Sequence, residues 1–164
     1  MKNVLFVCHG NICRSPMAEY YFRRIVERAG LSEVIYVESA AVSKEEVGNP
    51  VYPLARRMLA GRGIVCKDKV ARVIVADDYN RFDYIVAMDE SNLKALPRLV
   101  GKDVEHKFSL LLDHTSPEDK DHHNRDVQDP WYTRRFDKAW EDITIGCDAL
   151  LKELRSLVES EENV

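Results

Sequence analysis

Stretches that read as strands alternate along this 164-residue chain with stretches of helical spacing, and that alternation predicts an α/β fold. The expected architecture is a four-stranded parallel sheet with helices on both faces. Two further observations support it. The opening run Val4-Leu5-Phe6-Val7 is apolar without interruption, as a buried strand requires, and 45% apolar residues suffice for one substantial core. A second domain would have too few residues left to stand alone, so residues 1–164 are expected to form one domain.

The elements follow in order. Lys2 to Val7 is the first strand. Ser15 is expected to cap a helix with Pro16 in its first turn, where a missing N–H costs nothing. That helix turns Met17, Ala18, Tyr21, Phe22, Ile25 and Val26 inward and stops at Gly30. Val34 to Val37 is a second strand ending at Glu38-Ser39, and Pro53 to Ala60 a second helix closed by Gly61 and Gly63. Tyr84 to Ala87 is a third strand, Glu90 to Leu96 a short helix stopped by Pro97, and Val104 to Phe108 a fourth strand. Residues 113–130 are polar and read as a long exposed loop. The last helix begins near Thr133 and carries Phe136, Ala139, Trp140, Ile143, Cys147, Leu150, Leu151 and Leu154 on one face, with a frayed acidic tail from Glu159.

Composition excludes several classes. A net charge of -4, with both signs mixed along the chain, gives no sign of a nucleic-acid or membrane-surface partner. No stretch approaches the roughly 20 apolar residues that cross a bilayer, and the N-terminal run is too short for a signal peptide, so a cytoplasmic location is expected. Four scattered cysteines (Cys8, Cys13, Cys66 and Cys147) neither make a disulfide framework nor pair as CxxC, which points to reduced thiols and to no metal site.

Ligands of a parallel sheet bind where strands end and helices begin. At the first such junction the chain reads Val7-Cys8-His9-Gly10-Asn11-Ile12-Cys13-Arg14-Ser15-Pro16. Five residues separate Cys8 from Arg14, enough for one loop to curl around a tetrahedral anion. Gly10 and Asn11 suit the positive-φ backbone that turns successive N–H groups inward as a nest. The helix that comes next adds the positive end of its dipole. Such a loop binds a phosphate dianion and favours a thiolate on Cys8. Arg14 grips two phosphate oxygens at once, and a thiolate beneath a held phosphoryl group attacks in line to give a cysteinyl-phosphate. The Cys-to-Arg spacing alone would arise by chance in roughly one chain in ten. The strand before it, the Gly-Asn inside it and the helix after it make the signal specific.

At these residues the sequence resembles the low-molecular-weight protein tyrosine phosphatases. The likeness rests on VCHGNICRSP, on Glu38-Ser39, on Phe82-Asp83-Tyr84-Ile85 leading into Met88-Asp89-Glu90-Ser91-Asn92-Leu93, and on Asp129-Pro130-Trp131-Tyr132, in that order over nearly the whole chain. It implies a flavodoxin-like fold and hydrolysis of phosphotyrosine in protein substrates, without a cofactor. By the same resemblance Cys8 is the nucleophile and Arg14 the phosphate clamp. Asp129, otherwise an ordinary Asp-Pro turn, becomes the acid that protonates the leaving phenolate and then the base that activates water. Ser15 stabilises the departing thiolate. His9, Gly10, Asn11, Ile12 and Cys13 complete the phosphate loop, and Asn11 with Ser39 holds its shape, although Ser39 reads equally well as a structural serine. Cys13 is either a reversible disulfide partner for Cys8 or a small residue filling the loop's base. Trp131 and Tyr132 form one wall of a slot for a phenyl ring. An exposed aromatic wall serves a substrate and a second chain equally, so it sets no oligomeric state.

The chain departs from the resemblance at three places. Val42-Ser43-Lys44-Glu45 lacks the aromatic that often forms the opposite wall. Lys69 stands near where a histidine often supports the loop asparagine. Tyr52 and Leu54 replace a common Asp-Pro-Arg pattern. Other chemistries fit less well. An arginine phosphatase of this fold carries threonine where Ile12 stands, and an arsenate reductase needs two more relayed cysteines where Cys66 is alone. A sugar-phosphotransferase carrier has no use for Asp129, and a phosphate-binding module needs neither Cys8 nor Asp129. The run with Asp121, His122, His123 and Asp126 reads as solvated loop rather than as metal ligands.

Overall fold

The first strand organises the sheet. In the computed structural model, which describes residues 1–164, β1 (Lys2–Cys8) lies between β2 (Ile35–Ala41) and β3 (Tyr84–Ala87), with β4 (Phe108–Leu110) beyond β3. Every neighbouring pair is parallel, in the order β2-β1-β3-β4, so the predicted α/β class holds. Parallel neighbours need crossovers. These contain α1 (Arg14–Arg28), α2 (Pro53–Ala60), α3 (Asp78–Arg81) and α4 (Glu90–Val100); after β4 come a 3-10 turn (Leu111–His114), α5 (Pro130–Thr133) and α6 (Phe136–Glu162).

Both faces of β1 are covered, which is why its apolar run does not alternate. Val4, Phe6 and Cys8 point to the larger core, with Phe22 and Val26 of α1, Leu59 of α2 and Ile143 and Leu150 of α6. Leu5 and Val7 point to the smaller core, with Phe82 and Leu96. Phe6 meets Phe22 edge to face at 5.5 Å between ring centroids. The period-two pleat therefore sends Cys8, the last residue of β1, toward α1, the helix its loop leads into.

Several boundaries differ from the sequence reading. Ser15 does not cap α1: Cys13 holds the N-cap position without a side-chain bond, because the Ser15 hydroxyl is engaged by Cys8 and Asn11. Pro97 does not stop α4, which runs on to Gly101 at φ 87; buried Leu96 anchors this turn in the smaller core despite the missing N–H. β4 begins at Phe108 rather than Val104. The Asp103 carboxylate accepts the backbone N–H groups of Lys107 and Phe108 and the Tyr79 hydroxyl, coiling residues 103–107 into a turn that leaves Val104 exposed. Residues 113–130 are not simply exposed loop, for Val127 is fully buried and Thr115 nearly so. Arg134, at φ 61, breaks the chain between α5 and α6, so the last helix starts at Phe136. It continues through the acidic tail to Glu162, and Glu161 pairs with Lys2 at 2.6 Å.

Candidate active site

The loop from Cys8 to Ser15 closes around the Cys8 sulfur. The Ser15 hydroxyl lies 3.0 Å from Sγ, the Asn11 N–H 3.3 Å and the Ser15 N–H 3.4 Å. Asn11 has φ 61, the left-handed conformation that asparagine tolerates and that turns its N–H inward. Gly10 has no positive φ. Its lack of a side chain is used differently: a Cβ there would stand 3.1 Å from Glu46 Cγ, so glycine lets Glu46 approach.

A directed chain of hydrogen bonds supports this loop. The Asn11 amide donates both to Ser15 Oγ at 2.8 Å and to Ser39 Oγ at 2.9 Å, while its Oδ1 accepts the Arg72 N–H at 3.2 Å. Ser39 in turn donates to Glu19 Oε1 at 2.5 Å. Since Ser15 accepts from Asn11, its own proton is free to point at Cys8. The order is fixed at the far end by Glu19, a carboxylate only 4% exposed, which Arg23 and Lys69 also hold at 2.6 and 3.3 Å. Lys69 thus acts on the Ser39–Glu19 end, donating to the Ser39 carbonyl at 2.9 Å, and backbone of residue 72 takes the asparagine oxygen.

Arg14, 2% exposed, stands beside the sulfur with three partners. Its Nη1 donates to Asp89 Oδ2 at 2.7 Å and to the Val127 carbonyl at 2.8 Å, and Nη2 lies 3.3 Å from Asp129 Oδ2. Burial works against the Arg14 charge, but the charges of Cys8, Asp89 and Asp129 outweigh it and raise the guanidinium above its ordinary value. Burial likewise opposes ionisation of Asp89, but Arg14, the Asn92 N–H and the Ser91 hydroxyl overcome this and hold its carboxyl below the usual range. Asp89 also caps α4 in a capping box with Asn92. For Cys13 burial comes first, with the charge of Cys8 next, and both push its thiol well up, which suits a residue that stays protonated.

Asp129 sits at the N-cap of α5, where its Oδ1 accepts the Trp131 N–H at 3.0 Å. Pro130, buried at the first position of α5, stiffens that turn. The cleft above the loop is lined by Cys8, Ile12, Arg14 and Asp129 together with Trp131, Tyr132, Glu45 and Glu46. Trp131 is braced edge-on by Tyr52 at 5.4 Å. His9 lies at the rim, its Nε2 2.9 Å from Glu45.

Every predicted site residue therefore falls at or directly beneath one cleft: Cys8, His9, Gly10, Ile12, Cys13, Arg14, Asp129, Trp131 and Tyr132 line it, and Asn11, Ser15 and Ser39 lie below. Sequence reasoning gave no role to Asp89, Glu19 or Tyr52. Asp89 carried a signal, the Asp-x-x-Asn capping pattern directly after a strand end. Glu19 carried none, since one acidic residue in a helix reads as surface. The run from Asp121 to Asp126 brings no ligand set together: His122 pairs with Asp119, and Asp126 accepts the Glu90 N–H.

A parallel sheet with a cysteine and a buried arginine on the loop between its first strand and helix defines an α/β protein built to hold a tetrahedral anion at a strand end. Comparison with known proteins agrees. The family model described as low molecular weight phosphotyrosine protein phosphatase matches residues 3–160. The low molecular weight protein-tyrosine-phosphatase YfkJ of Bacillus subtilis is 40% identical over 156 residues, 94% of this chain and 97% of that protein. The human low molecular weight phosphotyrosine protein phosphatase is 38% identical over 154 residues, 92% and 94% of the two chains. The crystal structure of YfkJ superposes with a TM-score of 0.88 at 38% identity, covering 95% of this chain and 96% of that one. The chain belongs to the low molecular weight phosphotyrosine protein phosphatase family, and is a protein-tyrosine-phosphatase.

Proposed function

We propose that the chain hydrolyses phosphotyrosine in proteins through a cysteinyl-phosphate at Cys8. The observation that carries this reading is the convergence of three hydrogen-bond donors on the Cys8 sulfur beside a buried arginine. Phosphate oxygens occupy the loop N–H groups and Arg14. The Cys8 thiolate attacks phosphorus, the bond to the phenolic oxygen breaks, and the Asp129 carboxyl passes its proton to that oxygen. Asp129, now a carboxylate, takes a proton from water as the oxygen attacks phosphorus. The P–S bond breaks, phosphate leaves, and the returning thiolate is met by the Ser15 hydroxyl. Pro130 and the α5 N-terminus keep Asp129 at the lip of the cleft, and Trp131 and Tyr132 flank the phenyl ring. No step calls for a metal or cofactor. A reducing compartment such as the cytoplasm suits a mechanism that depends on a free thiol.

Phosphoarginine is the second substrate to weigh, because the chain is also similar to the crystal structure of DARP, drosophila arginine phosphatase (TM-score 0.81, 32% identity, 94% of this chain and 98% of that one). Ile12 in the cleft lining favours the apolar phenyl ring over a guanidinium, and tyrosine is our reading. The test is phosphate release from phosphotyrosyl, phosphoseryl and phosphoarginyl peptides, with chelator present, by wild type and Cys8→Ser. Turnover on phosphotyrosine, lost in the variant, is expected. Activity in Cys8→Ser would overturn the nucleophile, and preference for phosphoarginine would overturn the substrate.

A further inference from the structure

One ion pair, between a half-buried arginine and a buried aspartate, lies outside the cleft yet is tied to it by an unbroken series of contacts. Asp142, in the second turn of α6, is fully buried. Arg125 clasps it with two bonds of 3.0 Å, Nη1 to Oδ2 and Nη2 to Oδ1. Lys138 and His122 Nε2 approach the same carboxylate more loosely, at 3.4 and 3.8 Å. Arg125 also gathers its own segment, donating from Nε to the Asp121 carbonyl at 2.6 Å and from Nη1 to the Asp126 carbonyl at 2.9 Å. A side chain that spends its donors on one carboxylate and two nearby carbonyls is a fixed knot between a loop and a helix.

The catalytic lip comes directly after this knot in the chain. Asp126 accepts the Glu90 N–H at 2.9 Å, and the Val127 N–H donates to the Met88 carbonyl at 2.8 Å, so the segment is laid against the end of β3. The Val127 carbonyl accepts from Arg14, and Asp129 comes two residues later. Residues 115–129 contain no helix or strand, so on the N-terminal side of Asp129 these contacts hold its segment in place, while the start of α5 holds the other side.

We propose that Arg125 and Asp142 are positioning residues for the proton-transfer step, fixing the segment that presents Asp129 to the leaving oxygen. This rests on the reading of Asp129 as proton donor. Neither residue reaches the cleft. The consequence is selective: slackening the knot should harm the reaction in proportion to how much the leaving group needs a proton. A small misplacement of a catalytic group costs on the order of tenfold to a hundredfold in rate, within the contribution a general acid makes.

The experiment compares kcat/KM on a phosphotyrosyl peptide with that on dinitrophenyl phosphate, whose phenolate departs without a proton. The variants are Asp142→Asn and the double replacement Arg125→Met with Asp142→Leu. The second removes both charges together, leaving no lone buried ion to unfold the chain. Each is also made in an Asp129→Asn background. About a tenfold or greater loss on phosphotyrosine is expected, with under about threefold on dinitrophenyl phosphate, and no further selective loss once Asp129 is Asn. Equal losses on both substrates, or the same selective loss in the Asp129→Asn background, would overturn the proposal. If Asp129→Asn alone shows no leaving-group selectivity, the reading of Asp129 fails, and the proposal with it. If that control is selective while the α6 variants are not, the proposal alone fails.

Discussion

Replacing Ser15 by alanine tests the link between loop geometry and turnover. Of the three donors on the Cys8 sulfur, the Ser15 hydroxyl is the nearest at 3.0 Å and the only one a side-chain change removes. The loop should survive. Asn11 loses one acceptor but keeps Ser39 Oγ and the Arg72 N–H, and the two backbone donors stay in place. A hydrogen bond to a charged group contributes about 1.5–3 kcal/mol, which at 1.36 kcal/mol per decade is about 10- to 150-fold in rate. The loss should fall on the step in which the thiolate departs from phosphorus, where the sulfur regains full charge. Rapid mixing with a chromogenic aryl phosphate would read it. The steady rate should drop within that range while a burst of phenolate approaches one per enzyme, because the phosphoenzyme now accumulates. If kcat and kcat/KM fell together with no larger burst, the hydroxyl would matter for loop shape and not for the leaving thiolate.

Two further outcomes are set by the same geometry. Asp89→Asn keeps a good N-cap for α4 but discharges the partner of Arg14, and should lower stability at neutral pH by about 1–3 kcal/mol by chemical denaturation. Because the folded Asp89 carboxyl lies below its ordinary value, its contribution is present above the unfolded value of about 4. It is lost as pH falls through the lower folded value, so the gap between wild type and variant should close in acid; a gap constant with pH would contradict the pairing. Gly146→Ala inverts the usual preference for alanine in a helix, worth about 1 kcal/mol, since the added Cβ would stand 2.5 Å from Leu111 Cγ in the core. Overpacking of about 1–3 kcal/mol should win and lower the melting temperature; a rise would mean that α6 yields at no cost.

The sheet and the loop from Cys8 to Ser15 were readable because local pattern and final structure agree there. A run buried on both faces has no alternation to misread, and the Cys-to-Arg loop is contiguous. The misreadings arose where side-chain contacts, near or far along the chain, override the local pattern. Ser15 has the look of a cap until Asn11 and Cys8 are placed beside it, and Val104 has the look of a strand until Asp103 is seen to take two N–H groups of its own turn. Pro97 breaks a helix only when no packing opposes it, and Leu96 supplies that packing. Glu19 and Asp142 are buried acids on helices, and nothing in their neighbours along the chain distinguishes them from solvated ones.

The hydrogen-bond chain beneath Cys8 also bears on transplantation. The ten residues from Val7 to Pro16 are easily copied to another strand–helix junction, but the atoms that orient them are not in that segment. Ser39 comes from the neighbouring strand, Glu19 from the helix after the loop, and the Arg72 N–H from the crossover after α2. A grafted loop would keep its cysteine and arginine and lose the ordering of its protons. The motif is a signature to read by, and the smallest unit that carries the proton ordering beneath Cys8 is the β1–α1–β2 core with the crossover behind it.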